Sequence, residues 1–367
     1  MNETRIMTIG EVCATISDTY RAKADEVTLI NTSDVLEGKV LNHERVPNKE
    51  LKGQFKKTFK KNDILYSEIR PQNRRFAFVD FEPVDYIAST KLMVLRADTS
   101  KVLPMYLYYY LKSAPVIAEL QMLAETRSGT FPQITFTELS NLTIPVPSIA
   151  EQEAIVATIK CIEDKIDCNT KINDNLQQQA QAIYSAMFIS NADPTWVQGR
   201  LSDLITVKYG KDHKKLADGV YPVFGSGGIM RYVERPLYTG ESVLIPRKGT
   251  LNNVMYVNEP FWSVDTMFFT EMKIPNVAKF VFHFVKAKDL ASMNAGSAVP
   301  SMTTDILNAM ELAIPSAERL AEFESVVSPM YQAMQANNRE SAKLAELRDA
   351  LLPKLMSGEV DVSSIQI

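Results

Sequence analysis

The chain repeats itself at a fixed spacing of 168 residues. Ser128-Gly129-Thr130-Phe131-Pro132-Gln133-Ile134-Thr135 is answered by Gly296-Ser297-Ala298-Val299-Pro300-Ser301-Met302-Thr303, and Pro147-Ser148 by Pro315-Ser316. The spacing continues through a helical stretch in each half. There Ile155, Ile159, Ile162, Ile166, Leu176, Ile183 and Met187 map onto Phe323, Val327, Met330, Met334, Leu344, Leu351 and Leu355. Solenoid repeats are only about 20 to 50 residues long. The repeat is therefore a duplicated domain-plus-helix, and whatever the first half does, the second half is expected to do again on a second, similar object.

The helices are legible from their ends and their seams. Ile144-Pro145-Val146-Pro147 is held extended by its prolines, and Ser148 follows as an N-cap with Glu151 three residues on, a capping box. From there positions 155, 159, 162, 166, 169, 173, 176, 180, 183 and 187 advance in alternating steps of four and three and read Ile, Ile, Ile, Ile, Asn, Asn, Leu, Ala, Ile, Met. The counterpart from 323 to 355 reads Phe, Val, Met, Met, Asn, Ser, Leu, Arg, Leu, Leu. About forty helical residues span about 60 Å, more than a compact globule needs, and such a heptad seam requires a partner helix. Antiparallel packing of the two helices would bring Asn169 and Asn337 together near a pseudo-twofold axis, where buried polar side chains set register. The alternative leaves both asparagines in water. Pro329 removes one hydrogen bond from the second helix and is expected to kink it.

The order along the chain is domain (1–148), helix (149–190), domain (191–315), helix (316–360). The first domain mixes strand-like runs, Asp63-Ile64-Leu65-Tyr66 and Lys91-Leu92-Met93-Val94-Leu95, with turns and one helical stretch from Pro104 to Leu123. This is the pattern of a mixed α/β (α+β) globule. A content of 46% hydrophobic and 23% charged residues supports real cores. No basic leader with an apolar stretch opens the chain and no run reaches about 18 apolar residues, so a cytoplasmic protein without a membrane span is expected. Three cysteines, an odd number, argue against a disulfide framework, and Cys161 and Cys168 fall on the helix pattern as fillers.

A net charge of −4 argues against nucleic acid until the chain is divided. Residues 1–148 carry 19 basic and 18 acidic side chains and 191–315 carry 13 and 12, whereas the helical segments 149–190 and 316–367 are each −3. Within the near-neutral domains the basic residues cluster. One cluster holds Lys56, Lys57, Lys60 and Lys61 with Arg70, Arg74 and Arg75 close behind, a second holds Lys208, Lys211, His213, Lys214 and Lys215, and a third is Arg247-Lys248. Local patches, not whole-chain charge, set phosphate affinity, although any one cluster could equally be a solvated loop.

Two strands deliver basic, small-residue loops. Ser242-Val243-Leu244-Ile245 leads into Pro246-Arg247-Lys248-Gly249-Thr250, and Asp63-Ile64-Leu65-Tyr66 leads into Ser67 and Arg70. Small residues let main-chain N–H groups approach phosphate oxygens, and an arginine can read guanine with two hydrogen bonds. Thr250 and the turn residues Arg127, Ser128, Thr130, Ser226 and Ser297 complete the set of candidate DNA contacts. Enzyme readings fare worse. Gly225-Ser226-Gly227-Gly228 lacks the G-x-G-x-x-G spacing of a dinucleotide fold, and Asp265, Glu271 and Lys273 lie on one short stretch rather than converging as a nuclease site. The D/N-P-P-Y/F tetrapeptide of adenine methyltransferases is absent. Neither a catalytic residue nor a bound metal or cofactor is expected in this chain.

These features resemble the specificity (S) subunit of Type I restriction-modification systems. The resemblance is carried by Leu351-Leu352-Pro353-Lys354-Leu355-Met356-Ser357-Gly358-Glu359, the Gly129-x-x-Pro132 and Ser297-x-x-Pro300 turns, and Ile144-Pro145-Val146-Pro147 with Glu151-Gln152. The stretch from Tyr221 to Thr266 looks like a target-recognition domain, with one departure at Pro246-Arg247, where a small residue such as glycine is expected before the arginine. The resemblance implies two target-recognition domains, each reading one half of a bipartite, asymmetric double-stranded DNA sequence, and an antiparallel helical spacer that sets the gap between the halves. It implies no chemistry in this chain. S-adenosylmethionine would be held by two partner modification subunits that flip the target adenine, with motor-nuclease subunits joining in a restriction complex. The competing readings are a specificity subunit of an orphan methyltransferase without a nuclease, and a coiled-coil adaptor that does not bind DNA.

Overall fold

The computed structural model describes residues 4–22, 24–49, 53–126, 132–293 and 301–360. The chain forms two compact units, one of residues 1–168 with 339–367 and one of residues 169–338. The division therefore cuts through both long helices rather than falling at their ends.

In the first unit, Arg5–Thr8 pairs antiparallel with Thr143–Val146. Beside it stands a four-stranded sheet in the order Cys13–Ile16, Leu92–Ala97, Ile64–Ser67, Phe76–Phe78. Leu92–Ala97 is a nearly continuous apolar run and sits centrally, buried along most of its length, as such runs do. A second sheet runs Val46–Pro47, Glu26–Ile30, Tyr86–Ser89, Phe55–Lys57. The single helical stretch expected from Pro104 to Leu123 is in fact two helices, Pro104–Leu111 and Ala114–Thr126. Pro115 explains the break: it has no N–H for the Leu111 carbonyl, and its ring would collide with that carbonyl in a continuous helix.

The second unit repeats this plan. Val197–Arg200 pairs antiparallel with Glu311–Ile314, and a four-stranded sheet runs Ile205–Tyr209, Met267–Met272, Glu241–Pro246, Met255–Asn258. A three-stranded sheet, ordered Gly228–Val233, Asp218–Gly225, Trp262–Ser263, replaces the second sheet of the first unit. Helix Ala278–Lys286 takes the place of Pro104–Leu111.

The first long helix spans Ile149–Ser185 and closes in a π-helical turn, Ala186–Ser190; the second spans Ala317–Ser357. The capping box is formed, with the Ser148 hydroxyl 2.7 Å from Glu151 Oε2 and the Ser148 amide donating to the same carboxylate at 2.9 Å. Pro329 does not interrupt the second helix. In the first unit Lys165 pairs with Glu340 at 3.2 Å and Arg348 with Glu163 at 3.7 Å, so the helix segments run antiparallel. In the second unit the Asn169 side-chain amide donates to the Asn337 carbonyl at 3.4 Å and Arg319 to the Met187 carbonyl at 3.5 Å, again antiparallel. Every seam position, including Ile155, Ile159, Ile162, Ile166, Leu176, Ile183, Phe323, Val327, Met330, Met334, Leu344 and Leu351, is buried or half-buried.

Of the two readings of the asparagines, the structure selects contact. Asn169 is 1% exposed, Asn337 donates to Asn173 Oδ1 at 2.9 Å, and Asn173 donates to Asn338 Oδ1 at 2.8 Å.

Each domain helix docks on a long helix through several polar pairs, among them Lys112 with Glu163 in the first unit and Lys279 with Glu324 at 2.6 Å in the second. Tyr109 donates to Glu163 Oε2 at 2.9 Å in the first unit. In the second, the residue 168 positions after Glu163 is Tyr331, and it donates to His283 Nε2 at 2.9 Å. His283 Nδ1 in turn donates to Gln181 Oε1 at 2.7 Å, and the ring stacks on Tyr184. Burial foremost, and then the Lys286 charge, hold the imidazole neutral with its pKa lowered from 6.5 to about 4. The unfolded chain thus binds one more proton than the folded one between those values, so this contribution is complete above about pH 6.5 and is lost as pH falls toward 4. The loss is about 3 kcal/mol at most. Thermal unfolding from pH 7 to pH 4 should show a shallower decline in His283→Gln than in the wild type.

Candidate nucleic-acid interface

Both strand-to-loop segments leave their sheets at equivalent places and are held by the same main-chain hydrogen bonds. In the first unit the Glu68 amide donates to Lys91 O at 3.0 Å and Glu68 O accepts from Ile134 N at 2.8 Å. In the second, the Arg247 amide donates to Thr266 O at 2.8 Å and Arg247 O accepts from Met302 N at 2.9 Å. Bridges Ile69 to Gln133 and Lys248 to Ser301 follow one residue later in each. Gln133 and Ser301 keep the 168-residue spacing, but the two strand-to-loop segments do not, because the halves differ in length between these points. Pro246 ends its strand opposite Met267 and leaves the next amide, that of Arg247, to make the bond to Thr266.

The loops then differ in what they display. One residue beyond the bridge, Gly249 has φ +84° and Arg70 has φ 45°. Glycine adopts this left-handed conformation freely; an arginine does so at a cost of about 1–2 kcal/mol. Arg74, on the far side of the short turn Pro71–Asn73, is left-handed as well, with φ 52°. Two arginines held in disfavoured backbone on one exposed loop point to a functional constraint.

The remaining basic residues of the first unit divide. Lys56, Lys60 and Lys61 are exposed. Lys57 is a correction to the expected set: its ammonium donates to Leu92 O at 2.8 Å and Thr90 O at 3.1 Å, and burial lowers its pKa. It caps strand carbonyls instead of facing outward, because the strand alternation turns it inward. Arg75 is a second correction, donating to Ser33 O at 2.9 Å and Val35 O at 3.4 Å. Arg74 stays at the surface 3.9 Å from Glu37. Arg127, Ser128, Thr130 and Ser297 lie outside the described residues.

In the second unit the Arg247 guanidinium lies 5.4 Å from the Tyr209 ring centre and donates to Asp265 O at 3.3 Å. The cation–π contact and this hydrogen bond hold the guanidinium at the loop, where a fork can meet a base edge with two hydrogen bonds. Lys248 and Thr250 are exposed beside it. The loop is braced by two asparagines that the sequence reading passed over: Asn253 donates to Ser226 O at 2.8 Å and Asn252 to Asp289 Oδ1 at 2.9 Å. Lys211, Lys214 and Lys215 are exposed on a separate loop, anchored where Trp262 Nε1 donates to Lys211 O at 2.8 Å. Tyr209 was also missed. It ends a strand, and nothing in its local pattern distinguishes it from an ordinary surface tyrosine.

Two residues of the stretch weighed as a nuclease site are otherwise engaged. Glu271 pairs with Lys208 at 3.6 Å and Lys273 donates to Ser202 O at 2.6 Å. Among the described residues, no group of three or more His, Cys, Asp or Glu side chains is placed to hold a metal ion, and no helix is long and apolar enough to cross a membrane.

A duplicated α/β fold threaded by two long helices, with a basic strand-to-loop segment in each copy, defines a class of DNA-recognition proteins. A family model described as the Type I restriction modification DNA specificity domain matches residues 1–178 and 194–344, and the chain belongs to this family. It is 27% identical to the Type I restriction enzyme HindI specificity subunit of Haemophilus influenzae, over 98% of this chain and 100% of that one. It is 22% identical to the MjaIX specificity subunit of Methanocaldococcus jannaschii over 77% of each. In fold it matches the crystal structure of a Type I restriction-modification S subunit from M. genitalium with a TM-score of 0.59 and 19% identity, over 97% of this chain and 96% of that one.

Arg70 gives a direct test of the loop. In Arg70→Gly, relief of the left-handed strain outweighs the extra flexibility of glycine. The thermal midpoint should stay the same or rise by up to about 1 kcal/mol equivalent, while retention on heparin falls.

Proposed function

We propose that this chain reads a bipartite, asymmetric DNA sequence, each unit recognising one half-site through the major groove, and that it directs modification subunits to that sequence. The observation that carries the reading is the pair of strand-to-loop segments held by matching hydrogen bonds and carrying arginines, Arg70 with Arg74 in one and Arg247 in the other. Identical frames with different displayed side chains are what two readers of two different words require. Phosphate contacts come from Lys56, Lys60, Lys61, Lys211, Lys214, Lys215 and Lys248, and base readout from the arginines.

The long helices act as the strut that sets the number of unread base pairs. Their seam locks the register, and a rigid link between two readers selects half-site separation. The chain performs no chemistry. S-adenosylmethionine belongs to two modification subunits that flip the target adenine, and motor-nuclease subunits join when the system restricts DNA.

Methylome sequencing of a host with and without the chain should reveal one methylated two-part word that disappears with it. Adding one heptad to both helices next to Asn169 and Asn337 should lengthen the spacer and leave both half-site words intact; altered words would contradict the strut. Arg247→Lys replaces a fork by a point charge and should cost about 1–3 kcal/mol at the specific site, relaxing one position of one half-site. An unchanged methylation profile in that variant would make Arg247 a phosphate contact only.

A further inference from the structure

Strand Gly228–Val233 lies at the edge of its three-stranded sheet and turns apolar side chains to solvent. Ile229 is 51% exposed, Met230 60% and Tyr232 49%. Regular alternation would place two successive residues on opposite faces. Here the register shifts: Val223 pairs with Arg231 and Phe224 with Ile229, so Met230 is an extra residue in the ladder. At the bulge the successive Ile229 and Met230 are both largely exposed, the Met230 thioether lying over Gly225, and bulges re-aim side chains beside functional sites. A bare apolar edge invites pairing with other chains, so its presence calls for an occupant.

The surroundings identify that occupant. Arg231, between the exposed residues, donates to Leu216 O at 3.0 Å and ties the strand to the loop of Lys211, Lys214 and Lys215. At its other end the hairpin turn touches the Arg247 loop: Ser226 O accepts from Asn253, and a Cβ on Gly249 would lie 2.7 Å from Ser226 Oγ. The apolar ridge is thus tied on both sides to loops that carry exposed cations suited to phosphates. A two-stranded ribbon fits the major groove, where the apolar feature on the base edges is the C5 methyl of thymine.

We propose that Ile229, Met230 and Tyr232 form a second reading element that contacts thymine methyl groups in the half-site of the second unit, next to the base read by Arg247. This rests on the DNA-reading function proposed above.

The test uses the full chain in complex with its modification subunits and duplexes carrying the methylated word, with each thymine of that half-site replaced in turn by deoxyuridine, which lacks only the methyl. Removing one methyl contact should weaken wild-type binding about fourfold at one or more positions. The Ile229→Ser/Met230→Ser variant should bind thymine and deoxyuridine duplexes equally there while still selecting the other half-site word. Equal wild-type binding to thymine and deoxyuridine at every position would overturn the proposal, as would a half-site made only of G·C pairs. Loss of the modification subunits from the variant with thymine discrimination kept would assign the ridge to a protein partner and overturn it too. If instead the wild-type complex shows no sequence preference at all, the DNA-reading function itself has failed, and this inference with it.

Discussion

The apolar seam of the two long helices is the interaction on which the rest depends. A helix of this kind cannot keep its shape alone in water, because its isoleucines and leucines must be covered. In each unit the cover is double, from the opposing helix segment and from the globular part. Ile155, Ile159, Leu352 and Leu355 share one core with Tyr106 and Leu107, and Ala180, Phe323 and Val327 share another with Phe280 and Val281. Each fully buried aliphatic side chain contributes about 1.5–3 kcal/mol. Within each unit the helix segments are therefore walls of the core and not appendages to it.

A seam of isoleucine and leucine alone would tolerate sliding by a heptad. The cluster of Asn169, Asn173, Asn337 and Asn338 opposes that freedom, since a shift would take the buried Asn169 amide from its partner and break the hydrogen bonds of its half-buried neighbours. Polar residues also set the docking of each domain helix, Tyr109 on Glu163 in one unit and His283 on Tyr331 in the other. The same position in the repeat is thus filled with unlike chemistry, the Glu163 carboxylate in one unit and the Tyr331 hydroxyl in the other.

The two strand-to-loop segments follow the same logic of a shared frame and unlike contents. Main-chain bonds that do not depend on side-chain identity hold each loop in place, which leaves Glu68 or Arg247, and Arg70 or Gly249, to vary. Where glycine is absent, the left-handed turn is retained at the cost of strain. Variation in what the loops display then needs no change in how they are mounted.

The long helices, their capping box, the seam residues and the two strand-to-loop segments were all legible in the sequence, because each rests on local periodicity or on residues a few positions apart. The break at Pro115 was also written there and was missed. Other features were decided only by tertiary structure. Lys57 and Arg75 read as two more cations of a basic cluster, and only the carbonyls of Thr90, Leu92, Ser33 and Val35, distant in sequence, turn them inward. The cation–π contact of Arg247 with Tyr209 joins a loop to the end of a distant strand, and the exposure of Met230 goes with a register slip against Phe224. The division into units is of the same kind. Sequence order separates helix from domain, whereas burial joins half of each helix to each domain, because a chain's own pattern specifies which face must be covered but not what covers it.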